Sequence, residues 1–394
     1  MTRLSYLSFI ILMALIFSLS PFAIDMYLPA LPNMSQHFST SIDFMEGTVA
    51  IFLLGFALSQ LILGTLADSV NKQKLLTVGL IGFSLSSIAI ALVDSPTYLL
   101  IFRFLQAFAG GSAVVVFGLI RERFNDRQSA QVISYIMAAV VIAPMIAPII
   151  GGQVLTHFNW QAIFYVLAGI ALLNVVLQFV LFRNEKIVVN VQKKPLDLKN
   201  ILSGYAQILK SKQTLSFIFA GGFAFAGLFA FVAGSPFVYI EFFNVPPDQY
   251  GYYVALNAVA MIVANLLNAK VLADVVAIKK IKVGAVIILI AGIYLIVSAV
   301  LHLNIWFIVV GVVVYMFALG LISSNAIAGA LSSKPELAGL ISGISGVLQF
   351  GLGALASSIV SISVSSDAIT MAAVMFVCSI LSFVFALLLQ QVTK

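Results

Sequence analysis

Long apolar runs alternate with short polar segments along the whole chain, and this pattern predicts membrane-spanning helices. Each run is about 20–25 residues long, the length of a helix that crosses the roughly 30 Å hydrocarbon core of a bilayer. Gly, Pro and clusters of charged residues separate the runs. Division at these points predicts twelve spans, at residues 6–30, 46–67, 75–93, 97–120, 129–153, 161–182, 213–238, 249–271, 283–302, 305–330, 337–363 and 369–390.

One longer polar stretch divides the spans into two sets of six. We therefore predict an all-α polytopic membrane protein with an N-terminal six-helix bundle at 1–183, a cytoplasmic linker at 184–212 and a C-terminal six-helix bundle at 213–394. An internal repeat supports two pseudo-symmetric halves: LADSVNKQKLLTVG (66–79) follows the second span, and LADVVAIKKIKVG (272–284) follows the eighth. Parallel repeats of this kind are one way to build a transporter with a site between its halves. Chance similarity between two short basic loops is the alternative.

Composition agrees with a lipid solvent. Hydrophobic residues make up 62% of the chain and charged residues only 9%, whereas soluble domains are about 45–50% apolar and about 25% charged. The formal net charge of +6 reflects membrane orientation and not nucleic-acid binding. If the N-terminus lies in the cytoplasm, every Lys and Arg except Arg103 falls in a cytoplasmic segment, as the positive-inside rule requires. We expect a bacterial inner-membrane protein with both termini in the cytoplasm.

Residues that would support enzymatic chemistry are scarce. Cys378 is the single cysteine, and His37, His157 and His302 are far apart in the sequence. Neither a disulfide framework nor a metal-ligand spacing is present. A nucleotide-binding loop and an appended soluble domain are also absent from the sequence. We expect no enzymatic activity, no metal and no cofactor; an enzyme or receptor embedded in the membrane is the class that these observations argue against.

Away from the ends of the predicted spans, two charged residues remain inside them, Asp25 in the first and Arg103 in the fourth. A charge at the centre of a spanning helix costs on the order of 2.5–3.5 kcal/mol, so such residues are functional candidates. Both lie in the outer half of the bilayer, at depths that would allow them to meet. Asp25 could bind a proton or a polar substrate group while Arg103 tunes it. A static buried ion pair, or an arginine that reaches out to the interface, is the alternative.

Helix-breaking and uncharged polar residues supply further candidates. The fifth span contains APMIAPIIGG (143–152), in which two prolines and two glycines favour a bend or a close helix contact. A conformational role for Pro144, Pro148, Gly151 and Gly152 is the hypothesis, and a passive kink is the alternative. Several polar side chains within spans could line a cavity or only join helices; they are Gln106, Tyr135, Asn257, Asn325 and Gln349.

Taken together, the segments resemble the major facilitator superfamily and, within it, the Bcr/CflA drug-resistance group of proton antiporters. The resemblance covers essentially the whole chain. In the first half it rests on IDMYLPALP (24–32), GFALSQLILG (55–64), RFLQAFAGG (103–111) and APMIAPIIGG. In the second half it rests on SPFVYIEFF (235–243), ALNAVAMIVANLLNAKVL (255–272), SSNAIAGALS (323–332) and GVLQFGLGALASSIV (346–360). Two tyrosines in these segments, Tyr27 and Tyr239, join the candidates for the substrate cavity.

This resemblance implies the major facilitator fold, alternating access and drug/H+ antiport. The expected partners are the lipid bilayer, protons and small amphipathic compounds such as chloramphenicol-type antibiotics, bicyclomycin or sulfonamides. It also implies Asp25 as the proton or substrate carboxylate with Arg103 as its relay partner, and action as a monomer. A specialised carrier of purine nucleosides, amino acids or siderophores is the alternative. Related multidrug antiporters can carry a further acid earlier in the first helix, which this chain lacks, so one proton per neutral drug is our hypothesis.

The loop after the second span departs from the family pattern. That loop normally reads Asp-Arg-x-Gly-Arg and latches the cytoplasmic face. Here it reads Asp-Ser-Val-Asn-Lys at residues 68–72, so Asp68 and the preceding Gly64 remain while the first Arg and the Gly do not. Gly64 and Asp68 are the gating candidates of this loop.

Overall fold

The structure is a computed structural model that describes residues 3–66, 70–124, 126–182, 198–272, 274–362 and 367–389. Within these ranges the chain is helical and has no strand. Twelve segments of the described chain are long and apolar enough to cross a membrane, which confirms the predicted number of spans. We call them span 1 to span 12 in chain order.

The first half of the chain supplies six spans. Span 1 is a helix at Arg3–Asp25 that continues through a 3-10 turn at Leu28–Ala30 into a short helix at Leu31–His37; span 2 is Ile42–Leu66; span 3 is Lys72–Leu92; span 4 joins Pro96–Gly110, a 3-10 turn at Gly111–Val114 and Val115–Arg123; span 5 is Asp126–His157; span 6 is Trp160–Phe182. Span 2 thus begins one turn earlier than predicted, because its first turn carries acidic residues that a search for apolar runs excludes.

The second half supplies the other six. Span 7 is a helix at Lys212–Pro236 that continues as a π-helix at Phe237–Phe242; span 8 is Pro247–Lys270; span 9 is Ala277–Val300; span 10 is Ile305–Ser333; span 11 is Ala338–Ile362, preceded by a 3-10 turn at Pro335–Leu337; span 12 is Ile369–Leu387. A further helix at Leu198–Leu209 belongs to the predicted linker and packs against spans 7 and 11. The rest of the linker, 184–197, lies outside the described residues. The three-part division of the chain stays a prediction.

The two sets of six spans meet along two pairs of helices, span 2 with span 11 and span 5 with span 8. These contacts are closest on one face of the membrane protein. We call the face near Arg3 and Lys72 the N-terminal face, and the face near His37 and Asp248 the opposite face. On the opposite face, a Cβ added to Gly251 of span 8 would lie 2.6 Å from the backbone nitrogen of Ile149 in span 5. The halves are therefore packed backbone to backbone there.

Towards the N-terminal face, spans 2 and 11 diverge. Midway along span 11, Phe350 packs on Phe56 of span 2, with ring centroids 4.6 Å apart. Gly346 and Gly339 lie on the same side of span 11 as Phe350, one and three turns closer to the N-terminal face. A Cβ added to either glycine would meet nothing within 4 Å. The space between the halves is therefore open on the N-terminal face and closed on the opposite face.

Candidate functional site

Arg103 is fully buried in span 4, and no acidic residue in the described ranges forms an ion pair with it. Its Nη1 donates hydrogen bonds to the carbonyl of Ala23 at 3.1 Å and to Oε1 of Gln106 at 2.7 Å. The guanidinium carbon lies 4.1 Å from the ring centroid of Tyr27 and 4.6 Å from that of Phe52. Aromatic faces attract a cation through their quadrupole, more strongly where water is excluded. The Tyr27 and Phe52 rings and the carbonyl dipoles of Ala23 and Gln106 thus stabilise the buried charge of Arg103, whose desolvation is unfavourable.

The residues around Arg103 join the first four spans. Gln106 donates from Nε2 to the hydroxyl of Ser87 in span 3 at 2.8 Å. The Tyr27 hydroxyl and the Thr48 hydroxyl of span 2 share a hydrogen bond of 2.8 Å. Arg103 itself reaches the backbone of span 1 at Ala23. Its Nε and Nη2 are buried and have no hydrogen-bond partner in the described part of the chain, so part of its donor capacity is unused in this state.

Asp25 is not paired with Arg103. It is the last residue of the first helix of span 1, only 6% exposed, and close enough to the hydroxyl of Tyr250 in span 8 for the two groups to interact electrostatically. No ion pair or hydrogen bond joins Asp25 to Arg103. The physical reason is that other groups hold each residue: Arg103 is bound by the Ala23 carbonyl and the Gln106 side chain, while Asp25 lies near Tyr250 of span 8. The anticipated Asp25–Arg103 pair is therefore not formed in this state, and the carboxyl lies between the halves.

Aromatic residues close the opposite face around Asp25. Tyr239 is 1% exposed, and its ring lies 6.2 Å from that of Tyr250 and 5.7 Å from that of Tyr253. The Tyr250 hydroxyl shares a hydrogen bond of 2.8 Å with Ser235. Tyr27 and Tyr239, both candidates for the cavity, are therefore enclosed in this state and line no open space.

The remaining four cavity candidates occupy four kinds of place. Asn325 donates to Asn268 of span 8 at 3.0 Å and is thereby part of a helix-joining network. Asn257 is 6% exposed, and its Nδ2 finds no partner among the described residues. Tyr135 is 59% exposed. Gln349 lines a narrow cleft of about 20 Å³ between spans 7, 10 and 11.

The conformational candidates of span 5 lie at the closed contact between the halves. Pro144 and Pro148 are inside one uninterrupted helix, Asp126–His157. Gly151 approaches the carbonyl of Met26 in span 1, and a Cβ at Gly152 would lie 2.7 Å from the carbonyl of Pro247 in span 8. The segment therefore provides close helix contact. Whether it moves during transport stays a prediction.

The loop after span 2 is only partly described. Asp68 lies outside the described residues, and Gly64 is near the end of span 2, where a Cβ would just reach Val114 of span 4 at 3.9 Å. Lys72, the last residue of the degenerate motif, forms an ion pair of 2.7 Å with Glu122 at the end of span 4. A basic residue of this loop thus still joins spans 3 and 4 on the N-terminal face.

Sequence reasoning missed Glu46. The helix of span 2 begins at Ile42, and the Glu46 side chain is only 3% exposed. The predicted second span began only at Glu46, so this residue was not singled out. Its position on the same side of a helix as Ala50, Leu53 and Ala57 was the available signal. The partners of the Arg103 network, Thr48 and Ser87, were missed as well, because a hydroxyl within a span gives no pattern of its own.

Comparison with known proteins defines the family. The model of the Major Facilitator Superfamily matches residues 13–358. The chain is 34% identical over 379 residues to a bicyclomycin resistance protein homolog of Haemophilus influenzae, covering 95% of this chain and 94% of that protein. It is also 32% identical over 187 residues to the multidrug resistance protein MdtL of Klebsiella pneumoniae, covering 47% of this chain and 46% of that protein.

Solved structures share the fold at low identity. The xylose transporter XylE of E. coli, in a partially occluded inward-open conformation, has a TM-score of 0.72 at 12% identity, covering 97% of this chain and 96% of that one. A mutant of the nucleoside transporter NupG has a TM-score of 0.75 at 15% identity, covering 97% and 98%. This protein is a multi-pass membrane transporter that belongs to the major facilitator superfamily and, within it, to the Bcr/CflA drug-resistance group.

Proposed function

We propose that this protein is a proton-coupled efflux transporter of the bacterial inner membrane. It exports small amphipathic compounds, such as chloramphenicol-type antibiotics, bicyclomycin or sulfonamides, in exchange for protons. The observation that carries the proposal is the position of Asp25: a carboxyl buried between the two halves, with no cation bound to it. The names of the relatives, a bicyclomycin resistance protein homolog and a multidrug resistance protein, support the substrate class.

Asp25 is placed so that rocking of the halves changes its surroundings. In the present state the closed contact between spans 5 and 8 and the ring of Tyr250 cover it. Separation of the halves on the opposite face uncovers the carboxyl and hydrates its ionised form. A group whose hydration changes with the conformation binds protons differently in the two states. Export of substrate and entry of a proton are then coupled through one residue.

Arg103 acts as a positioning residue in this proposal. It binds the carbonyl of Ala23, two residues before Asp25, and stacks on Tyr27, two residues after it. The segment that carries Asp25 is therefore held on both sides. The buried Nε and Nη2 of Arg103 have no partner among the described residues, so they can donate to the Asp25 carboxyl if span 1 rotates. The relay implied by the family resemblance would operate in this way.

The open side of the molecule offers a surface for amphipathic compounds. The cleft between spans 7, 10 and 11 is lined by Phe217 and Phe225 together with Ser345 and Gln349. Mostly apolar walls with a few polar groups are typical of small-molecule sites. We assign this cleft to the substrate path, with Gln349 as its polar contact.

The test measures proton movement in everted membrane vesicles that are acidified inside. A pH-sensitive dye reports proton release when a panel of drugs, nucleosides and amino acids is added one by one. Wild-type protein is expected to release protons with at least one drug, and Asp25→Asn is expected to abolish the response because its amide cannot carry a proton. Asp94→Asn, an exposed acid between spans 3 and 4, is the matched control and should respond like wild type.

Other outcomes separate the alternatives. Release with nucleosides or amino acids but with no drug would make the protein a metabolite carrier. An unchanged drug response in Asp25→Asn would remove Asp25 from the coupling step. In both cases folding is checked by thermal melting of the purified variant.

A further inference from the structure

Glu46 is a second carboxyl buried at the contact between the halves. It lies one turn inside span 2 on the opposite face and is 3% exposed. The next residue, Gly47, packs against span 11: a Cβ there would lie 3.6 Å from the hydroxyl of Ser361. Span 2 therefore touches the other half at the level of Glu46.

The direction of the Glu46 side chain follows from helix geometry. Gly55 is nine residues later, which places it about 180° around the helix, and it packs tightly against Phe104 and Ala107 of span 4. Glu46 consequently points away from span 4 and towards the C-terminal half. Gly47 on one flank and Phe56 on the other both contact span 11, so span 11 is what covers the carboxyl.

No described residue around Glu46 supplies a positive charge. Asp43, one turn earlier on the same side of the helix, is within electrostatic reach and has the same sign. Span 11 contains no ionisable side chain between residues 338 and 362, and the outer connections contain no Lys or Arg. The titratable groups on the other elements that pack on span 2 are engaged elsewhere, exposed or distant. Arg103 binds Ala23 and Gln106, Tyr27 binds Thr48, and His37 packs on Phe38 and Trp160. Tyr98 is 57% exposed, and Lys212 begins span 7 at the distant N-terminal face.

We propose that Glu46 is a second proton-binding site, filled from the solvent on the opposite face when spans 2 and 11 separate there. Burying an ionised carboxylate without a cation or hydrogen bonds costs several kcal/mol, whereas a neutral carboxylic acid is much cheaper to bury. Closure of this face therefore takes up a proton at Glu46, and opening releases it to the same side. Acid on the opposite face favours the closed state that the structure shows.

This proton is not transported. Because Glu46 is covered in the state that is open to the N-terminal face, its proton has no path to that side and returns when the opposite face reopens. The site sets the pH at which the opposite face closes and leaves the one-proton stoichiometry unchanged. The inference rests on the alternating movement of the proposed function, but neither on a drug substrate nor on Asp25 as the proton carrier.

The experiment measures opening of the opposite face as a function of pH. Cysteines replace Ser41 and Gln249, exposed residues at the ends of span 2 and span 8, in a Cys378→Ser background. They are spin-labelled in lipid nanodiscs, and electron–electron distances are recorded from pH 5 to pH 9. In an Asp25→Asn background, which removes the pH dependence that the proposed function assigns to Asp25, we expect the ratio of long to short distances to rise with pH, by at most about tenfold per pH unit for one linked proton. When Glu46→Gln, a permanently neutral analogue, is added to that background, the short distance should persist at every pH.

A further variant separates Glu46 from its neighbour Asp43. Asp43→Asn, added to the Asp25→Asn background, should keep a pH-dependent distance change. An unchanged pH response when Glu46→Gln is added to Asp25→Asn, or no distance change with pH in Asp25→Asn alone, would overturn the inference, and neither result bears on drug-induced proton release. The infrared band of a protonated carboxylic acid, present in wild type at neutral pH and weaker in Glu46→Gln, gives a second readout that does not depend on the labels.

Discussion

At the scale of single residues, the most informative feature is how Arg103 is stabilised. Its charge lies against two aromatic faces and a backbone carbonyl, and the candidate acid of the site, Asp25, does not pair with it. The acid and the base of the site are therefore separated in this state. A carboxyl without a fixed cation can exchange its proton when the surroundings change, whereas a tight ion pair would hold it ionised. The geometry thus favours the functional interpretation of Asp25 over a static ion pair.

The hydrogen bond between Tyr27 and Thr48 holds the ring that covers Arg103, and it can be tested directly. We expect Thr48→Val and Tyr27→Phe each to lower the free energy of unfolding, with a coupling of about 0.6 kcal/mol and at most about 1.7 kcal/mol, the range for such bonds in membranes. A double-mutant cycle by detergent unfolding measures it. Ser332→Ala, whose hydroxyl bonds only its own helix at Ala328, is the control and should show no coupling to Tyr27→Phe. Additive effects of the two variants would mean that the bond contributes nothing.

At the scale of elements, irregular turns mark the ends of the functional helices. Span 1 changes to a 3-10 turn at Pro29, directly after Asp25 and Tyr27, and span 7 becomes a π-helix directly after Pro236. Proline removes a backbone donor, and neighbouring helices satisfy the freed carbonyl. Span 5 shows that proline alone does not predict a break, since Pro144 and Pro148 lie in one continuous helix.

Glycine at the contact between spans 5 and 8 provides a test of the closed face. A Cβ at Gly251 would meet backbone atoms of Ile149, which cannot move aside as a side chain can. Gly251→Ala should therefore shift the population towards the state that is open on the opposite face, seen as a larger fraction of long distances between labels at residues 41 and 249. Gly169→Ala is the matched control, because its Cβ would meet nothing within 4 Å. Equal distance distributions in the two variants would show that this contact does not govern closure.

At the scale of the whole molecule, the spans form a structure that is open on the N-terminal face, with contact between the halves on the other. The positive-inside rule predicts that the N-terminal face lies in the cytoplasm, because every described Lys and Arg except Arg103 lies at or near that face. That orientation corresponds to an inward-open state.

Reporter fusions test the orientation. Alkaline phosphatase, which is active only outside the cytoplasm, should be active when fused after Asp94 or Leu303 and inactive when fused after Lys210. A fluorescent protein at the C-terminus should fluoresce, as it does in the cytoplasm. The reversed pattern would place the N-terminal face outside and would change the direction of transport in our proposal.

Some features of the fold and of the candidate site could be predicted from the sequence, and others could not. The number of spans and the presence of Asp25 and Arg103 as charges within the membrane could be predicted, because each follows from the cost of placing polar groups in lipid. Their surroundings could not: the hydrogen bond of Arg103 to Ala23 and the position of Asp25 near Tyr250 depend on how span 1 is rotated between the halves. The covering of Glu46 by span 11 could not be predicted either, because span 11 lies far from Glu46 in the chain.

The amino-acid sequence by itself determined that this protein spans the membrane, how many times it does so, and, through the family motifs, to which transporters it belongs. These properties are local, since each apolar run and each motif is read within some 20 residues. The tertiary structure decided which face is closed, which acids are buried and which candidates are free to meet a substrate. These properties depend on packing between distant helices, where the approach of a backbone or a ring determines whether water reaches a side chain.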